Sequence, residues 1–170
     1  MKQHKGMRPH DIVILLKIAL LKKRNWLQKD LAFSLNISLS EVSESLNRSR
    51  QVHFLANDKK RLMTHNFLEF LEHGLKYVFP AIPGPIQRGV PTAHSAPPLA
   101  DLIFSDDIYV WAFAEGKARG QTIEPLHPSV PEACLKDSEL YQLLALTDVL
   151  RLGRVREKTV AMRELKKRLL

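Results

Sequence analysis

The sequence predicts a mainly α fold with small β elements: an amino-terminal helical lobe, then a smaller α+β carboxy-terminal lobe with a short β-hairpin and terminal helices. Three observations carry that expectation. Apolar residues recur near the helical period over 9–23, 25–35, 38–51 and 66–77, and again over two stretches after residue 137. Six of the ten prolines fall within 80–98, which excludes regular helix there and predicts an extended connector. The remaining strand-like runs are short. The expected division is 1–79, a proline-rich connector over 80–107, and a hairpin with helices over 108–170.

Each element has its own signal. Pro9 and Asp11 suit a first helical turn, and Ile12, Val13, Leu15, Leu16, Ala19 and Leu20 supply an apolar run closed by Lys22, Lys23 and Arg24. Asn25 is the expected cap of a second helix whose stripe is Trp26, Leu27, Leu31, Ala32 and Leu35. Asn36 stands where the chain needs a left-handed residue, which asparagine tolerates better than other side chains. Ser38-Leu39-Ser40-Glu41 is a capping box, so a third helix starts there, burying Val42 and Leu46. Mixed segments on either side of Asn57-Asp58-Lys59-Lys60 predict a small hairpin with a cationic tip. Asn66 to Glu69 repeats the capping logic for a fourth helix, ended by Pro80. Residues 109–113 and 121–124 predict an antiparallel pair around a glycine-rich loop, with Tyr109, Trp111 and Phe113 as core. Asp137 and Ser138 cap a leucine-rich helix stopped at Gly153, and a basic helix follows over 155–169.

Composition excludes several function classes. No run of about eighteen apolar residues is present, which argues against a membrane span, and the basic amino terminus lacks a small-residue cleavage site, so a cytoplasmic location is expected. Cys134 is the only cysteine and reads as a small hydrophobe. Histidines 4, 10, 53, 65, 73, 94 and 127 show no ligand spacing, so no metal and no cofactor are expected. His94, Ser95 and Asp101 lack the surroundings of a nucleophile, and the glycines flanking Lys117 and Arg119 lack phosphate-loop spacing; the chain is not expected to be an enzyme.

The net charge of +8 is unevenly distributed. Residues 1–79 hold 14 Lys/Arg against 7 Asp/Glu, residues 80–150 hold 4 against 9, and residues 151–170 hold 8 against 2. Two basic ends flanking an acidic middle suit a polyanionic partner, because cations near phosphates release condensed counterions.

The most specific signal is the stretch from Gln28 to Asn47, QKDLAFSLNISLSEVSESLN. Ala32 is small where two helices cross, Leu31, Leu35, Ile37, Val42 and Leu46 fill a shared core, and the turn falls at Asn36. This segment resembles the helix-turn-helix of bacterial transcriptional regulators, and with the cationic hairpin it is most similar to MarR-like winged helix-turn-helix proteins over residues 8–78. Asn36 replaces the glycine usual there. The resemblance implies that the third helix enters the major groove of double-stranded DNA: Ser38, Leu39, Ser40, Ser43, Glu44 and Asn47 would face bases, Asn47 pairing with adenine and Leu39 touching a thymine methyl. Gln28, Arg48 and Arg50 would grip phosphates, and Lys59, Lys60 and Arg61 would form the wing. It further implies a repressor acting as a homodimer, joined through Leu165 and Leu169 of the last helix. The rival expectation is a protein-interaction module, antitoxin-like or accessory to a defence system, with a protein partner bound through 80–170 and autoregulatory DNA binding.

Overall fold

The computed structural model describes residues 6–22 and 25–170; Lys23 and Arg24, at the expected end of the first helix, lie outside them, as does His4. Among the described residues the chain is mainly helical with one small three-stranded sheet. Helices α1 (Pro9–Leu21), α2 (Gln28–Leu35), α3 (Leu39–Gln51), α4 (Thr64–His73) and the single turn α5 (Leu75–Val78) come first. Strands β1 (Ile86–Pro91), β2 (Tyr109–Ala112) and β3 (Ala118–Thr122) follow, then α6 (Val130–Lys136), α7 (Ser138–Leu152) and α8 (Val155–Leu169).

Helix α1 is the hub. Ile12 to Leu16 and Ile18 are all buried, because its sequence is apolar around almost the whole circumference and must be covered on every side. It packs against α3 and also against α7, so one connected cluster of buried side chains runs through both halves of the chain. Asp11 caps the helix by accepting the Arg8 amide at 2.8 Å. Lys17, the polar interruption, reaches Asp137 at the start of α7 at 2.6 Å.

Three local expectations shift. Helix α2 begins at Gln28 and not near Asn25, because Asp30 in its first turn accepts the Leu27 amide at 2.8 Å and does the capping. Helix α4 begins at Thr64, two residues before Asn66, whose amide instead donates to the His53 carbonyl at 2.9 Å. The cationic hairpin over 55–62 reduces to one antiparallel bridge, Leu55 with Leu62, closed by Asp58 accepting the amides of Lys60 and Arg61.

The sheet departs most from expectation. The proline-rich connector contains β1, which tolerates Pro91 because the missing donor falls at its last residue. Strand β1 runs antiparallel to both β2 and β3, and the three close on one another. Strands β2 and β3 are therefore parallel, Tyr109 opposite Gln121 and Val110 opposite Thr122, so the expected antiparallel hairpin around the glycines is not formed. The reason is a close backbone crossing. A Cβ on Gly116 would sit 2.3 Å from the Gly89 carbonyl carbon, and one on Gly89 would sit 1.9 Å from the Trp111 oxygen. The linker between β2 and β3 passes over β1 where neither chain carries a side chain.

A buried polar network fixes this sheet to α7. The Asp148 carboxylate accepts from Thr92 Oγ1 and Trp111 Nε1, both at 2.7 Å, and from Arg151 at 2.6 Å. Arg151 also donates to the carbonyls of Phe79 and Glu124. Tyr109 and Trp111 lie in the core, with Phe113 half-buried. His94 Nε2 donates to the Asp107 carbonyl and the Ser95 hydroxyl accepts the Tyr109 amide, so both hold the approach to β2.

Helix α6 has no counterpart in the sequence reading; its seven residues start with Val130-Pro131 and are too few to show a periodicity. Helices α7 and α8 match expectation, with Asp137 capping α7 and Gly153 in the left-handed conformation between them. The function expected of α8 does not match. Leu165 is fully buried in its own chain, with Ala161 and Met162, and Leu169 packs on the same core. A leucine already covered by α7 offers no adhesive surface to a second copy, so the expected dimer contact through Leu165 and Leu169 is corrected. Among the described residues no helix is long and apolar enough to cross a membrane.

Candidate nucleic-acid interface

The unit formed by α2 and α3 is built by local chemistry. Helix α2 ends at Asn36, whose φ of 51° and ψ of 47° are left-handed, and Ile37 donates back to the Ala32 carbonyl at 3.1 Å. Two residues after Asn36 the capping box begins. Ser38 Oγ accepts the Glu41 amide at 3.3 Å, and the Glu41 carboxylate accepts both the Ser38 amide and its hydroxyl, the latter at 2.9 Å. That hydroxyl bond is the main reason the Glu41 carboxyl lies below its ordinary range.

At about 100° per residue, α3 divides cleanly. Val42, Ser45, Leu46 and Ser49 form the buried side. Ser40, Glu44, Asn47 and Gln51 lie opposite them, with Ser43 and Arg50 on one flank and Glu41 and Arg48 on the other. Ser38, Leu39, Ser40 and Glu44 are exposed; Ser43, Asn47, Arg48 and Arg50 are half-buried, as is Gln28 at the start of α2. Ser45 and Ser49 sit on the buried face with unpaired hydroxyls. The sequence reading did not single them out, since serine gives no apolar signal.

The expected cations do not behave alike. Arg48 turns inward: its guanidinium makes a two-pronged pair with fully buried Asp11 at 2.9 and 2.7 Å, with Glu44 at 3.7 Å on the outer side. Its expected phosphate contact is therefore not a free one, because the fork that would hold a phosphate already holds a carboxylate. Among the described residues Arg50 makes no ion pair, and its Nε is buried without a hydrogen-bond partner. Lys60 donates to the Trp26 carbonyl at 3.2 Å and lies over the Trp26 ring, pinning the 57–60 turn to the segment before α2. Lys59 and Arg61 flank it without a salt bridge among the described residues.

Compared with known family models, with curated proteins and with solved structures, the chain matches none of them. Its functional reading therefore rests on its own geometry.

That geometry includes a neighbour far from α3 in the chain. The segment after β3 brings His127 to His10, their rings edge to face with centroids 5.7 Å apart, close enough for Glu41 to act on both electrostatically. Burial holds both imidazoles below the ordinary 6.5, and for His10 the Arg48 charge adds to it. A base whose folded value is depressed contributes stability that is complete above its unfolded value and is lost as the pH falls below it. Urea midpoints are therefore expected to fall as the pH is lowered from 6.5 toward 5, before most carboxylates titrate. The double variant His10→Gln, His127→Gln should flatten that slope. An unchanged slope would show that these rings do not sense acid.

Proposed function

We propose that this chain is a sequence-specific double-stranded DNA-binding protein that regulates transcription in the cytoplasm, acting as a repressor, with α3 as its reading helix and the 57–60 turn as a short wing. The observation that carries this reading is the outward flank of α3. Its polar side chains face away from the core while Val42, Leu46 and the Asn36 turn hold the helix against α2. Ser40, Ser43 and Asn47 offer the donors and acceptors that base edges need, and Glu44 suits a cytosine amino group. Arg50, Lys59 and Arg61, with Lys29 on α2, are the cations left to contact phosphates. Reading two half-sites requires a twofold partner, so we propose a homodimer whose contact lies outside the buried stripe of α8.

A second reading is favoured by a different observation. Leu102 and Phe104 are 57% and 95% exposed on an acidic loop, as is Phe33, at 90%, on α2. Such side chains suit a protein partner better than a phosphate backbone. In that version the 80–170 half binds protein and DNA binding is autoregulatory.

Mobility shifts on the chain's own upstream DNA, measured at several salt concentrations, test the first reading. Asn47→Ala is expected to lower discrimination at one base pair by about 1–3 kcal/mol while leaving affinity for random duplex unchanged. Equal loss on all sequences would remove Asn47 from base recognition.

A further inference from the structure

Helices α4 and α8 leave between them a groove of about 480 Å³ that the DNA-binding reading does not use. Buried Met162 and exposed Val155 line it, with Lys158, Arg163 and Lys166 of α8 and Glu72 of α4. The charges do not balance. Glu72 is paired with Lys166 at 3.0 Å, and among the described residues Arg163 and Lys158 have no ion-pair partner. Lys76 of α5, moreover, stands close enough to act on Lys158 electrostatically. Burial and then the Lys76 charge hold Lys158 below the ordinary lysine range. Three cations thus line the groove against one carboxylate. Like charges gathered in one groove repel one another, and an anion shared between them relieves that repulsion.

We propose that this groove binds a phosphate-bearing anion, with Lys158 and Arg163 on the phosphate oxygens and the Val155 and Met162 side chains against whatever carries it. A phosphate group has the two negative charges and three acceptor oxygens that several converging cations need, whereas one carboxylate neutralises only one of them. Two sources share this chemistry: a free phosphorylated small molecule and the backbone of the duplex that α3 reads.

The test is a titration of the full chain, followed by amide NMR and thermal unfolding. Inorganic pyrophosphate is the first probe, random-sequence duplex the second, and sodium chloride at equal ionic strength the control. Saturable shifts confined to α4, α5 and α8 are expected, with a raised melting temperature. Lys158→Gln and Arg163→Gln should each weaken binding about tenfold or more, as loss of a hydrogen bond to a charged group does. Lys158→Gln relieves a like-charge repulsion, so its own melting temperature should hold or rise, which separates lost binding from lost folding. Shifts from pyrophosphate alone identify a free ligand as the source; shifts from the duplex at the same amides identify the DNA backbone. The proposal is overturned if neither probe moves these amides, if chloride moves them equally, or if both variants bind like the wild type. Asn47→Ala leaves the pyrophosphate titration unchanged, so failure of the α3 reading and failure of this site are distinguishable.

Discussion

Replacing Asp148 with alanine is expected to lower the unfolding free energy by about 3–5 kcal/mol, the usual consequence of removing one partner of a buried ion pair. Asp148 is 1% exposed and accepts three hydrogen bonds, from Thr92, Trp111 and Arg151. Its loss leaves the Arg151 charge, itself 7% exposed, facing a cavity, and leaves the buried Trp111 indole donor unpaired. The same residues join β2, the segment after β1 and α7, so the damage falls where the sheet meets α7. For a chain of this size the melting temperature should fall by roughly 10 °C. Thr92→Val removes only one donor and should cost about 1–2 kcal/mol. Urea unfolding checks both. An Asp148→Ala protein as stable as the wild type would mean that this network does not hold the sheet to α7.

Arg48→Ala and Arg50→Ala are expected to have opposite signatures, although the residues are two apart on one helix. Removing Arg48 strands the Asp11 carboxylate, which is fully buried, and should cost about 3–5 kcal/mol of stability. Removing Arg50 breaks no ion pair and should change stability by about 0.5 kcal/mol or less. In the mobility shift, Arg50→Ala should weaken binding to every sequence and reduce the salt slope by about one. Arg48→Ala should weaken binding only as far as folding is lost, and the double variant Asp11→Ala, Arg48→Ala should recover part of the stability, because no lone buried charge remains. A folded, fully stable Arg48→Ala protein that no longer bound DNA would return Arg48 to the phosphate-contacting set.

Local signals placed the helices well. Ser38-Leu39-Ser40-Glu41, Asn36, Asp137 and Gly153 each act through atoms within four residues, so their caps and turns were readable without knowledge of the rest of the chain. The outward residues of α3 follow from the same short-range geometry. Long-range pairings were not readable. Whether Arg48 faces solvent depends on Asp11, 37 positions away, and the parallel pairing of β2 with β3 depends on Gly89 and Gly116 letting two backbones cross. His127 beside α3 and Lys158 near Lys76 likewise join segments far apart in the chain.

By itself, then, the sequence determined the caps and turns at Asn36, Ser38, Asp137 and Gly153, because capping and periodicity are short-range effects of hydrogen bonding and apolar spacing. The tertiary structure alone decided which cations are free and which faces are covered: Arg48 is neutralised inside, Leu165 is buried by α7, and the unbalanced amines gather between α4 and α8. Charge pairing and burial are properties of what stands opposite a side chain, and no local pattern specifies that.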